Sequence, residues 1–425
     1  MQIIKYPERN QWESILERPT FDLQALYDKV NKILADIKNR GEAAVFEYSE
    51  MFDKVRLQDL SISEQEIRAA ESLVANDLKD AIRKAKANIE LFHKSQKFES
   101  KKIETTPGVT CWQKAVAIEK VGLYIPGGTA PLFSTVLMLA LPAKIAGCKE
   151  IILCSPPNKE GKIHPAILFA AKEAGVSKIF KLGGVQAIGA MAYGVVSPKV
   201  YKIFGPGNQY VMAAKQLVSI SDVAIDMPAG PSEVQVIADD TANPAFVAAD
   251  LLSQAEHGAD SQVILTTTSE SFILQVQDEV DRQLAELPPR KEIAEKALRN
   301  SKLILLKDNR DIIDMTNQYA PEHLIIEASG YMEIADKIVN AGSVFLGNYT
   351  PESAGDYASG TNHTLPTNGY AKAYSGVNLD SFIKKITFQE ISKEGINNLG
   401  PAIEIMAENE ELFAHKNAVT LRLKD

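Results

Sequence analysis

Apolar positions along the chain change period twice. From Asp22 to Asn39 they fall at Leu23, Leu26, Val30, Ile33, Leu34 and Ile37, the spacing of a helix with one buried face. Arg40-Gly41 supplies a stop signal. Ser63 with Glu66 three residues on forms a capping box, and the pattern predicts a long charged helix from there to about Phe92. After Trp112, short apolar runs alternate with helical stretches. "VGLYIP" (121–126), "EIILCSP" (150–156), "KIFKLGG" (178–184) and "VYKIFGPGN" (200–208) read as strands, with helices from about Leu132, Pro165 and Gln186 between them. A second series follows: "EVQVIAD" (233–239), a helix to His257, "QVILTTT" (262–268), a helix through Leu284, then "KLILLK" (302–307), "HLIIEA" (323–328) and "GSVFLG" (342–347). Strands alternating with helices of this length predict an α/β protein of βαβ units with parallel sheets, in two similar halves. Residues 1 to 20 hold little periodicity. From about Asn378 the chain reads as mostly helical and charged, apart from a strand-like "AVTLRL" near its end.

Composition narrows the function classes. The 425 residues carry a formal net charge of −9 and no long Lys/Arg block, which argues against a nucleic-acid binder. The longest apolar run, "STVLMLALPAKIAG", contains Pro142 and Lys144 and is too short to span a bilayer. The N-terminus lacks the basic-then-apolar pattern of a signal peptide. Cys111, Cys148 and Cys154 are the only cysteines, an odd, small set that argues against a disulfide framework and for a reducing compartment. A soluble cytoplasmic protein with no nucleic-acid or membrane partner is expected.

Candidate chemistry gathers in the second half. Gln254 and His257 stand three apart at the end of a hydrophobic helix and so share a face. The pair suits a metal ion; a polar helix end capped by Gly258 is the plainer reading. "YAPEHLII" (319–326) sets Glu322 beside His323 at a strand start, a carboxylate and an imidazole of the kind that acid–base work needs. The stretch from 348 to 371 has almost no apolar period but carries Glu352, Asp356 and His363, and long ordered loops of this kind are usually functional. Glu410 and His415 are five apart, roughly 140° around a helix, so one helical face would not present both. "YIPGGTAPLFS" (124–134), with its paired glycines, and "FGPGNQY" (204–210) could offer backbone N–H groups to a phosphate, yet neither is a G-x-G-x-x-G fingerprint. "DMPAGPSE" (226–233) is a Pro/Gly turn with Ser232 at its rim. Cys148 and Cys154 raise a rival, a thiolate nucleophile for an aldehyde, but their apolar surroundings favour inert thiols.

Taken together, "VGLYIPGGTAPLFSTVLMLALPAKIAGC", "FGPGNQYV", "AIDMPAGPSEVQVIAD", "DLLSQAEHGADSQVIL", "NQYAPEHLII", "GSVFLGNYTPESAGDYASGTNHTLPT" and "AHKNAVTLR" resemble the histidinol dehydrogenase family in order and spacing, over about residues 20 to 422. The resemblance implies oxidation of L-histidinol to L-histidine through the aldehyde, with two NAD and one zinc ion. It implies two incomplete Rossmann-like domains: an N-terminal arm (1–22), a first domain from 23–123 with 233–377, a second from 124–232, and a C-terminal segment (378–425) that swaps across a homodimer. By the same resemblance Gln254, His257, Asp356 and His415 are the zinc ligands and Glu322 and His323 the acid–base pair. Ser232 and Glu410 join Gln254, His257, His323, Asp356 and His415 in contacting substrate, and Tyr124, Gln186 and Asn208 contact NAD. His363 lies close in the same loop and stays unassigned, either behind the ligands or on the substrate side. The rivals are a relative that oxidises another amino alcohol and a non-enzymatic zinc module.

Overall fold

The buried strand runs assemble into two parallel sheets in the computed structural model, which describes every residue except 20–22, 128, 129, 229 and 288, with the side chains of Leu23 and Gln24 also left out. Asp22, Gly128 of the paired glycines and Ala229 of the Pro/Gly turn therefore lie outside the described residues. The first sheet takes β4 (Lys120–Tyr124), β5 (Glu150–Ser155), β6 (Lys178–Lys181), β7 (Lys202–Phe204) and β8 (Ala224–Ile225) in the order β6-β5-β4-β7-β8. The second takes β1 (Gln2–Lys5), β9 (Glu233–Ala238), β10 (Gln262–Thr267), β11 (Lys302–Leu305), β12 (His323–Glu327) and β13 (Ser343–Leu346) in the order β1-β11-β10-β9-β12-β13. Both are wholly parallel. Helices cover both faces, so β9, β10 and β12 are buried at every position and read as unbroken apolar runs. A third sheet, β14-β3-β2, is antiparallel and pairs β14 (Ile383–Ile391) with β3 (Val109–Ala117) along their full length beside β2 (Ile103–Thr106).

The architecture is the expected one: α/β, with two Rossmann-like halves and appendages at both ends. Several elements differ from the sequence reading. The N-terminal residues are not a bare arm, because β1 pairs with β11 and closes one edge of the six-stranded sheet. The charged helix after Ser63 is two helices, Glu64–Leu73 and Asn76–Lys94, since Val74 and Ala75 are extended and the Asn76-Asp77 pair favours a new start. These helices, with Leu23–Arg40 and Glu42–Asp53, pack on the helices that cover the five-stranded sheet. The expected first domain instead joins 23–123 to 233–377, that is, to the other sheet. Leu26, Val30, Leu34 and Ile37 meet Ile188, Met191 and Val218 there, a pairing that periodicity alone does not specify. The 378–425 segment opens on the long strand β14 before its two helices, Lys393–Asn409 and Phe413–Leu423. The strand-like "AVTLRL" lies within the second helix, where packing of Val419 and Leu423 against Gly400 overrides β propensity. No helix among the described residues is long and apolar enough to cross a membrane.

One helix bears on the site. Phe133–Ala146 is buried from Ser134 to Ala143, sandwiched between its sheet and the Pro165–Ala174 and Asn76–Lys94 helices. Pro142 lies inside it and has no N–H, so the carbonyl of Met138 one turn earlier has no helical partner. Asn362, from the 348–371 stretch, supplies the missing donor: its Nδ2 reaches the Met138 oxygen at 2.6 Å.

Candidate active site

Glu322 and His323, the expected acid–base pair, lie at the amino ends of the central strands of the six-stranded sheet. Glu322 precedes β12 and His323 is its first residue; β9, its neighbour, begins at Glu233, next to Ser232. The parallel ladder thus brings Glu322 to the Glu233 N–H, which donates to Glu322 Oε2 at 2.9 Å. His323 Nδ1 faces the Glu233 carbonyl at 3.3 Å. A carbonyl only accepts, so Nδ1 carries the proton and the neutral ring leaves Nε2 as its basic nitrogen. That Nε2 is buried without a hydrogen-bond partner and stands 3.5 Å from Asp356 Oδ1.

The Pro244–Ala255 helix runs back to the same edge and delivers Gln254, then His257 just beyond its end. With its amide oriented to satisfy both ends, Gln254 accepts from the Glu233 N–H at 2.8 Å and donates to Glu352. Asp356 and Glu352 come from a helix, Glu352–Tyr357, inside the stretch whose sequence shows no period. At six residues it is too short to display one. Ligand atoms of His257, Glu352 and Asp356 lie within 4.8 Å of one another, and Glu352 Oε2 has no partner. One imidazole and two carboxylates in reach of a buried amide form a donor set that suits Zn²⁺. Glu352 is the member of this cluster that sequence reasoning noted but did not place in the site. Its spacing of four from Asp356 on one helical turn was the available signal.

Packing so many titratable groups together shifts them. Burial raises Glu322 to about 8, against the charge of His323 and the Glu233 N–H. Burial disfavours the His323 cation, but Glu352, Glu322 and Asp356 outweigh it and hold the imidazolium up to about 10. Burial carries Glu352 well above the usual carboxylate range. It pushes Asp356 the same way, where contact with His323 more than offsets it and leaves the group below its ordinary value. His257 keeps an exposed outer face, yet crowding of its ring by the cleft wall lowers it below an ordinary histidine.

A cavity of about 1200 Å³ lies at the carboxyl ends of β4 and β5, and Tyr124, Gln186 and Asn208 all line it. Strand order reverses between β4 and β7, and ligands of α/β sheets bind at such switch points. Asn208 caps the Gln209–Ser219 helix by accepting from the Tyr210 and Val211 N–H groups. The Tyr124 hydroxyl accepts from the Gly184 N–H at 3.1 Å. Gln186 donates to Asp53, and its own Oε1 is buried without a partner. Gly205 approaches Tyr124 so closely that a Cβ would lie 2.1 Å from the Tyr124 carbonyl. The cavity exceeds the roughly 300–1,000 Å³ of common small-molecule sites and has room for a dinucleotide. Its orphaned amide oxygen and Lys29, Lys159 and Lys162 on its walls suit a ligand with hydroxyls and phosphates. The rival thiols do not suit nucleophilic work: burial raises Cys148 to about 12 and Cys154 further.

The family model for histidinol dehydrogenase matches residues 16–423. The chain belongs to the histidinol dehydrogenase family. It is 68% identical over 424 residues to histidinol dehydrogenase of Bacteroides thetaiotaomicron, covering 100% of this chain and 99% of the relative. It is 54% identical over 417 residues to that of Escherichia coli, covering 97% and 95%. A crystal structure of histidinol dehydrogenase from Elizabethkingia anophelis superimposes with a TM-score of 0.97 at 58% identity, covering 100% of this chain and 98% of that one.

Of the residues that the family resemblance implies, the single chain brings Ser232, Gln254, His257, Glu322, His323 and Asp356 to the strand edge, and Tyr124, Gln186 and Asn208 to the cavity. It does not bring Glu410 or His415 to either. Both are exposed on the C-terminal helices, which pack on each other and beside the antiparallel sheet, and neither side chain makes a hydrogen bond or ion pair among the described residues. Around them Ile405, Met406, Leu412, Phe413 and Leu421 are exposed too.

Proposed function

We propose that the protein oxidises L-histidinol to L-histidine through the aldehyde, in two hydride transfers to NAD, as the closing steps of histidine biosynthesis in the cytoplasm. The observation that carries this reading is the buried, unpartnered Nε2 of His323, fixed by its Nδ1–Glu233 bond and set beside the Glu322 carboxyl. Family membership and the 68% identical relative support the substrate. In the first oxidation His323 Nε2 takes the hydroxyl proton as hydride leaves the carbinol carbon. In the second, after His323 has returned its proton to solvent, Glu322 removes a proton from the water that adds to the aldehyde, and His323 takes the hydroxyl proton of the resulting hydrate as the second hydride leaves to NAD. NAD, as the hydride acceptor, would be held in the cavity by Tyr124, Gln186 and Asn208.

Zinc would be held by Gln254, His257 and Asp356 from one protomer and His415 from its partner, with Glu352 beside them. A zinc ion held there supplies a Lewis-acid anchor for the amine and imidazole of histidinol, and its charge offsets the carboxylates that keep the proton on His323. Ser232 and, from the neighbour, Glu410 complete the substrate contacts. The exposed apolar residues of the C-terminal helices support a homodimer in which that segment crosses over, since isolated patches of this kind mark interfaces.

The test is NADH formed per L-histidinol consumed, with and without a chelator. Two NADH per substrate, lost on chelation and regained with zinc, supports the whole scheme. One NADH would limit the reaction to the alcohol step; none from folded, zinc-loaded protein would overturn the substrate.

A further inference from the structure

His363 has no part in the proton transfers above, yet both of its ring nitrogens are committed. Nδ1 donates to the backbone carbonyl of Asp356 at 2.8 Å. In the neutral ring, Nε2 then accepts from the Thr135 hydroxyl, 3.0 Å away. Thr135 belongs to the Phe133–Ala146 helix on the five-stranded sheet, whereas Asp356 faces the strand edge of the six-stranded sheet. The next residue back repeats the crossing: Asn362 donates to the Met138 carbonyl that Pro142 leaves open. Asn88 donates to the Ala358 carbonyl at 2.8 Å and ties the same segment to a second helix, Asn76–Lys94. The segment therefore joins the sheet that bears the cavity to the sheet that bears the acid–base pair.

We propose that His363 is a positioning residue, a tether of fixed tautomer that holds the main chain of Asp356 and sets the spacing between the cavity and the His323 site. The proposal rests on the function given above. Hydride transfer needs donor and acceptor carbons held at contact distance, so small changes in the spacing of the two halves carry large rate costs. A ring with both nitrogens engaged is not available to carry protons to substrate.

The two bonds separate by substitution. His363→Asn keeps a donor near Nδ1 and loses the Thr135 bond. His363→Gln keeps an acceptor near Nε2 and loses the Asp356 bond. Thr135→Val removes only the hydroxyl, and Thr135→Ser restores it. Zinc retention against a chelator, KM for histidinol and kcat are measured for each variant, with thermal midpoints to verify folding. His363→Gln should weaken zinc retention and raise KM about tenfold, with a smaller change in kcat. Thr135→Val and His363→Asn should retain zinc and lose about tenfold in kcat, and Thr135→Ser should recover it. Wild-type behaviour of Thr135→Val in all three measures overturns the tether. So does equal damage from both His363 variants with Thr135→Val unaffected, the result for a histidine that contacts substrate. If the unsubstituted protein oxidises no histidinol, the function reading fails, and weaker zinc retention in His363→Gln than in His363→Asn still supports the hold on Asp356, while equal retention overturns it.

Discussion

Under the proposed division of roles, replacing Glu322 by glutamine should separate the two oxidations. The amide is nearly isosteric, and its oxygen can still accept from the Glu233 N–H that now lies 2.9 Å from Oε2. What it loses is basicity. A carboxyl raised to about 8 is only about one-tenth ionised at pH 7, so the wild-type aldehyde step climbs with pH through that midpoint. A bound dication draws the midpoint below 8. The variant should show no such rise. Loss of a positioned base costs about 10²- to 10⁴-fold, or about 3–5 kcal/mol of barrier. That loss should fall on oxidation of added histidinaldehyde, while oxidation of histidinol to the aldehyde, for which His323 is the proposed base, changes by less than about tenfold. The assay is rapid-mixing NADH formation from each substrate on zinc-loaded variant, over a range of pH. Stability gives a second sign. A folded-state value raised by burial contributes stability below the unfolded value and loses it as pH rises through about 8, so metal-free Glu322→Gln should lose less stability than wild type across that window. Equal loss in the two half-reactions, or an intact aldehyde step, would refute the division of labour.

Three further outcomes follow from the geometry. Arg18→Met leaves Glu233 buried without its bidentate partner, the Nε–Oε1 and Nη2–Oε2 pair at 2.9 and 2.6 Å, and should cost about 3–5 kcal/mol in denaturant unfolding; a double variant with Glu233→Gln should regain most of it. Gly205→Ala places a Cβ against the Tyr124 carbonyl at a φ of +124°, so KM for NAD should rise and stability fall by about 1–3 kcal/mol, and an unchanged KM would detach Tyr124 from the cofactor. Mixing inactive His257→Asn and His415→Asn proteins through unfolding and refolding should restore about a quarter of the sites, because half the dimers are mixed and each has one intact site. No recovery would mean that His415 serves its own chain or none.

The local elements were largely legible in the sequence, because their causes are local. Alternating buried runs and 3.6-residue stripes mark β4 to β7 and β9 to β13, and Ser63 with Glu66 marks a helix start whatever the rest of the chain does. The quoted motifs also marked the residues that the family resemblance places in the site. Register and long-range pairing depended on the whole molecule. A strand such as β1 looks unremarkable until β11 supplies its hydrogen bonds, and the helices of 23–94 carry apolar stripes that fit either sheet until packing volume selects one. Glu352 needed the fold for the same reason. Its neighbours in space, His257 and Gln254, lie roughly a hundred residues away in sequence, and only the parallel ladder of β9 and β12 draws them to one edge. The exposed Glu410 and His415 show the further limit: the sequence names the residue types, while the single folded chain leaves both on an exposed, partly apolar face away from the strand edge.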